Sequence, residues 1–178
     1  MRRKVEVVPF STSWHGMFLV EANKLREVLG INMLNAYHIG STSVPNLVAK
    51  PIIDILGVVK EIEVVDGYKD EFEKLGYECL GEYGIQGRRY LCKSKYESDE
   101  QIDLVHIHIF SLANMEDIER HLAFRDYLCE HEDDCKAYGD LKQKLASEFS
   151  EDMEAYCDGK SEFIKQLEIK ALSWYHEE

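Results

Sequence analysis

Three groups of residues in this 178-residue chain have types and spacings suited to chemistry. The first is Gly40-Ser41-Thr42-Ser43, which follows the apolar residue Ile39. A glycine just past a strand lets backbone N–H groups approach an anion closely, and the hydroxyls beside it add ligands. The second is Asp54, set among Ile52, Ile53, Ile55 and Leu56. A carboxylate in a buried strand must be hydrogen-bonded, paired or bound to a cation, because leaving it alone costs several kcal/mol, on the order of 5 or more. The third is His106 and His108. The two-residue repeat of a strand puts both imidazoles on one face with Leu104 and Phe110, and sends Asp103, Val105, Ile107 and Ile109 to the other.

Together these residues describe a place where a cation and a phosphate meet. Asp54, His106 and His108 would form a two-histidine, one-carboxylate set. That set suits Mn²⁺ or Zn²⁺ better than Mg²⁺, because hard cations prefer oxygen ligands. In this reading the three residues are metal ligands and catalytic groups, with a histidine also available as general base. Gly40, Ser41, Thr42, Ser43, Lys50, Arg125, Tyr138 and Lys142 would hold phosphate. Lys160 is a further candidate cation. Arg125 lies one helical turn after His121, and Tyr138 one turn before Lys142. Arg88 and Arg89 read as a solvated strand edge.

Each of these residues has a plainer reading. Gly40-Ser41 is also an ordinary turn that uses Gly for backbone freedom and Ser as a cap. Asp54 is also a structural acid bonded to a helix or to Lys50. One histidine is then a satisfied core residue while the other contacts phosphate.

These side chains need a sheet to position them. Residues 35–40 form a short strand, and 51–59, apolar on both faces, an interior one. Strands at 77–83 and 88–94 flank a Gly-containing loop, and 102–110 makes a long strand. Helices are expected at 14–29 and at 62–75, the latter closed by Gly76. After Asn114, an N-cap with Asp117 at N3, three helices follow at 116–131, 134–149 and 161–175, the last capped by Ser161. The fold class is α+β: a small mixed sheet flanked by helices, with a helical C-terminal half, in one domain over residues 1–178.

Composition narrows the function classes. The net charge is −13, which argues against duplex nucleic acid, since phosphate contacts along a duplex need a basic face. It leaves room for a small phosphate-bearing ligand held by a few local cations. No apolar run approaches a membrane span and no signal peptide is visible. The five cysteines contain no CxxC, so the expectation is a cytoplasmic protein with reduced thiols and no membrane partner. Cys129, His131 and Cys135 lack a fourth ligand and zinc-type spacing. There is no P-loop, no GxSxG elbow and no GxGxxG.

The string HIGSTSVPNLVAKPIIDI, from His38 to Ile55, resembles the core motif of the GrpB family, and its Gly-Ser…Asp pattern resembles the signature of polymerase-beta-type nucleotidyltransferases. The resemblance covers nearly the whole chain. It includes Val8-Pro9-Phe10, Trp14, His106-Ile107-His108, the stretch Leu122 to Leu128, Tyr138-Gly139-Asp140-Leu141-Lys142, Tyr156 and Lys160. It implies a sheet of nucleotidyltransferase type and a nucleotide or other phosphate-bearing ligand, with metal-assisted nucleotidyl or phosphoryl transfer as the reaction. Fusions of GrpB-type domains to dephospho-CoA kinase imply a coenzyme-A connection instead, through a non-catalytic binding module. A metal-dependent hydrolase is the third reading. The chain departs from the transferase pattern at Leu56, where a second metal-binding acid is usual.

Overall fold

A computed structural model describes residues 4–97 and 100–177. Five strands form one mixed sheet in the order β1-β2-β5-β4-β3. They are β1 (Met33–Ile39), β2 (Ile53–Val59), β3 (Tyr77–Cys79), β4 (Arg89–Glu97) and β5 (Glu100–Ser111). The β2–β5 pair is parallel and the other pairs are antiparallel. As expected, β2 is interior.

One face of the sheet packs on α1 (Ser13–Leu29) and on the short helices α2 (Glu63–Asp66) and α3 (Lys69–Lys74). Trp14, Phe18, Leu25, Val65 and Phe72 meet Ile53, Ile55, Ile107 and Ile109 there. The other face carries Leu56, Val58 and Phe110 against Ile118 of α4 (Met115–Glu130). Behind α4 lie α5 (Glu132–Glu148) and α6 (Met153–Glu177), whose core joins Tyr127, Tyr138 and Leu167 to Val44 and Leu47. Among the described residues no helix is long and apolar enough to cross a membrane.

Several local expectations shift. The helix expected over 62–75 is two, interrupted at Gly67 and Tyr68. The strand expected over 77–83 stops at Cys79. The Asn114 side chain does not cap α4; its amide donates to the Gln86 carbonyl instead. The last helix begins at Met153, not at Ser161. Gly159 is within it because α5 lies against it there: a Cβ at this position would fall 2.6 Å from Leu145 Cδ2. The early start matters for function, since it carries Tyr156 and Lys160 onto one helical face.

Candidate functional site

The parallel β2–β5 register sets Asp54 opposite His106 and Leu56 opposite His108. Asp54, His106 and His108 therefore project from the same face, toward the C-terminal helices. His106 Nδ1 lies 3.4 Å from Asp54 Oδ1. Gly40, at the end of β1, has φ 71° and ψ −176°, a conformation open essentially to glycine alone. A Cβ there would come within 2.5 Å of Asp54 Oδ2. Gly40 thus makes room for the Asp54 carboxylate. The neighbouring hydroxyls turn inward. Thr42 Oγ1 donates to the Ile52 carbonyl and meets His38 Nε2 at 3.0 Å, while Ser43 Oγ donates to the Gly40 carbonyl.

Strand alternation predicts Asp103 on the far face, but the structure puts it on the near one. Lys93 pairs with Val105 but Ser94 pairs with Asp103, so Leu104 is an extra residue in β5. This β-bulge re-aims what precedes it. Leu104 turns into the core beneath α1, and Asp103 Oδ2 comes 3.5 Å from His106 Nε2. The His106 imidazole bridges two carboxylates. Burial opposes its charge, but hydrogen bonds to Asp103, Asp54 and Cys92 raise its pKa to about 11. Burial likewise pushes Asp54 up, yet the His106 hydrogen bond and the charges of His106, His108 and Lys50 hold it below the usual carboxylate range.

His108 is in a different state. Its Nδ1 lies 3.2 Å from Arg88 Nη1, and burial lowers its pKa to about 4. His121, its ring centroid 5.0 Å away, is pushed to about 3, mainly by burial. Both are neutral imidazoles at pH 7. Arg88 was expected at a solvated edge, but it is buried. Its guanidinium donates to the Glu82 and Tyr83 carbonyls and stacks on Tyr90. It is a structural brace for the loop before β4. Arg89 is paired with Asp66.

Asp54 borders a cleft of about 190 Å³ whose lining includes Ser41, Lys50, His106, Lys142, Tyr156 and Lys160. Three lysines from three segments converge here in a chain of net charge −13. Lys142 is 2% exposed, and its Nζ has no hydrogen-bond partner among the described residues. The Tyr138 ring lies 4.5 Å from it, and Lys160 and Lys50 lie over the Tyr156 ring at 4.8 and 5.7 Å. Burial, then the charge of Lys160, lowers the Lys142 pKa to about 7. Burial and Lys50 lower that of Lys160. Tyr138 hydrogen-bonds Ser41, although burial raises its own pKa.

The other expected residues are placed as follows. Arg125 does not line this cleft; it donates to Asp126 and to the His38 carbonyl, tying α4 to the end of β1. Lys50 and Lys142 are in the cleft, together with Lys160. The two-histidine, one-carboxylate set does not close, because His108 is directed to Arg88. Among the described residues, the His, Cys or acidic side chains whose ligating atoms gather within 4.8 Å are Cys92, Asp103 and His106. Sequence reading missed Cys92, although it is directly opposite His106 in the β4–β5 register. The signal was the alternation of Tyr90 and Cys92 with Leu91.

A sequence profile for GrpB protein matches residues 4–170. The UPF0157 protein YqkA of Bacillus subtilis is 40% identical over 173 residues, covering 97% of this chain. The chain spans about half of that relative's length, 49%. The UPF0157 protein PA4798 of Pseudomonas aeruginosa is 34% identical over 96% of this chain and 69% of its own. The crystal structure of conserved protein GrpB from Enterococcus faecalis superimposes with a TM-score of 0.90 at 45% identity, covering 96% of this chain and 99% of that one.

Proposed function

The chain belongs to the GrpB family, and we propose that it binds a small phosphate-bearing ligand, a nucleotide or coenzyme, with the phosphate in the cleft between Ser41, Lys50, Lys142 and Lys160. One observation carries this reading: the Lys142 ammonium is buried, has no hydrogen-bond partner among the described residues, and faces two further lysines. Three cations packed together repel one another, and a buried unpaired one costs several kcal/mol, on the order of 3 or more. An anion of high charge density relieves both penalties at once. Tyr138 and Tyr156 offset part of the cost through their ring faces.

The cleft is smaller than the roughly 300–1,000 Å³ common for whole ligands. It suits the phosphate end of a molecule. A second cleft of about 300 Å³ shares Lys50, Ile52 and His106 with it and adds Pro51, Ile102 and Met153. That more apolar space would take the organic remainder.

Metal-assisted transfer through Asp54, His106 and His108 fits the residues poorly. His108 is bonded to Arg88, and Leu56 is fully buried in an apolar cluster where a second acid would be needed. These features favour the binding module over the transferase and the two-histidine hydrolase. Calorimetry with inorganic phosphate, ATP and coenzyme A tests the reading. Phosphate-dependent binding that weakens in Lys142→Met is expected. No binding of any of the three by the intact protein would overturn it.

A further inference from the structure

Cys92, Asp103 and His106 lie on the sheet face shared with Asp54, and His106 also lines the phosphate cleft. From their arrangement we propose that these three side chains bind a four-coordinate divalent cation of the zinc class, with Asp54 as the positioning residue that orients His106. This cation site is independent of phosphate binding.

The distances suit a tetrahedral ion. Bonds of about 2.0 Å to nitrogen or oxygen and about 2.3 Å to sulfur imply ligand–ligand edges of about 3.3–3.5 Å. Cys92 Sγ is 3.8 Å from one Asp103 oxygen, Oδ1, and His106 Nε2 is 3.5 Å from the other, Oδ2, both close to such edges. All three ligating atoms lie within 4.8 Å of one another.

The fold builds this cluster from independent parts. The β4–β5 register sets Cys92 opposite His106. The bulge at Leu104 brings Asp103 round to join them. Ser94 Oγ donates to Asp103 Oδ1 at 2.8 Å and takes a hydrogen bond from Gln101, which fixes the carboxylate. With Nε2 aimed at the cation, His106 turns Nδ1 to Asp54 at 3.4 Å. A carboxylate behind a metal-binding imidazole is a recurrent support: it fixes the tautomer and raises ligand basicity. This gives Asp54 a purpose that does not require a second acid at Leu56.

The donor set decides the cation. Thiolate and imidazole favour zinc-class ions over Mg²⁺ or Ca²⁺. The fourth position opens to a cleft of about 240 Å³ bordered by Glu78, Tyr83 and Tyr90. Three protein ligands and an exchangeable fourth are the arrangement of reactive zinc sites, in which the metal activates a bound water or a ligand oxygen.

The test uses the full chain, reduced and metal-stripped, titrated with Co²⁺ as a spectroscopic substitute for zinc. A thiolate-to-cobalt charge-transfer band should grow to saturation at one equivalent and be bleached by Zn²⁺ but not by Mg²⁺. Cys92→Ser should abolish the band although four other cysteines remain. Asp54→Asn should keep the band and weaken Co²⁺ binding by about 10–100-fold. If Cys92→Ser does not fold, Asp103→Asn and His106→Gln provide the same comparison through the cobalt affinity. Absence of the band in the wild type, or its survival undiminished in Cys92→Ser, would overturn the proposal. Phosphate calorimetry on the wild type keeps the two readings separate: no phosphate binding by a protein whose cobalt site is intact would remove the first reading alone.

Discussion

Replacing Lys142 by Met should make the ligand-free protein more stable and a poorer binder. Met keeps the length of the apolar stem and removes the ammonium. The Lys142 pKa falls from an ordinary 10.5 to about 7 in the fold. At 1.36 kcal/mol per unit, that displacement destabilises the wild type by about 4 kcal/mol at pH 7. The sign follows from the direction. A base whose folded pKa is depressed carries its full penalty below the folded value. The penalty fades as pH climbs from about 7 toward 10.5 and is absent above. Met packs less well over Tyr138 than a cation does, so the expected net gain is about 2–4 kcal/mol at pH 6. Urea unfolding in phosphate-free buffer at pH 6 and pH 10 measures it, and the advantage of Lys142→Met should shrink at the higher pH. Phosphate affinity should fall by about 10–100-fold, the value of one charge-assisted contact. A variant less stable than wild type at pH 6 would show that the ammonium is already satisfied, and the argument for an anion would fail.

Three other outcomes are expected. Gly40→Ala should destabilise by about 1–3 kcal/mol, since φ is positive and the new methyl meets Asp54; chemical denaturation reads this, and an unchanged midpoint would count against the described turn. Arg88→Met should lower stability by about 2–3 kcal/mol through the Glu82, Tyr83 and His108 contacts while leaving phosphate affinity within about twofold; a large affinity loss would place Arg88 in the ligand site. Thiol titration of freshly purified, denatured, non-reduced protein should find all of the five cysteines free, as they are in the structure, and protected thiols would contradict that.

Sequence periodicity assigns side chains to the correct face where the strands are regular. The apolar run around Asp54 on both faces marks an interior strand, and the alternation through His106 and His108 puts both imidazoles on one face; the β2–β5 register makes it the face of Asp54. Periodicity fails where regularity breaks. A bulge is one unpaired residue and has no compositional mark, so Asp103 was assigned to the wrong face. Arg88 looks like any charged residue at a strand end, and only the loop that folds over it makes it buried. Lys50, Lys142 and Lys160 were each visible as cations. Their convergence was not, because it depends on how α5 and α6 pack, and α6 begins earlier than Ser161 suggested. Cys92 was visible only as one of five thiols until its cross-strand partner was known.

The parallel pairing of β2 with β5 has a consequence for how the molecule acquires its site. Ile53 pairs with Val105, and closing a loop of about fifty residues costs about 3.5 kcal/mol in chain entropy. The antiparallel pairs β1–β2 and β4–β5 join segments much closer in the chain and form at lower entropic cost. The β2–β5 seam is therefore expected to close late. Until it does, Asp54 has no His106, and Asp103 and Cys92 stand on a separate piece of sheet from the glycine turn. During synthesis the first half emerges with its Asp54-bearing strand unmatched, exposed along the edge that β5 will cover. Completion of the sheet and assembly of the phosphate cleft are then one event, so a ligand bound across the seam would slow unfolding more than it speeds folding.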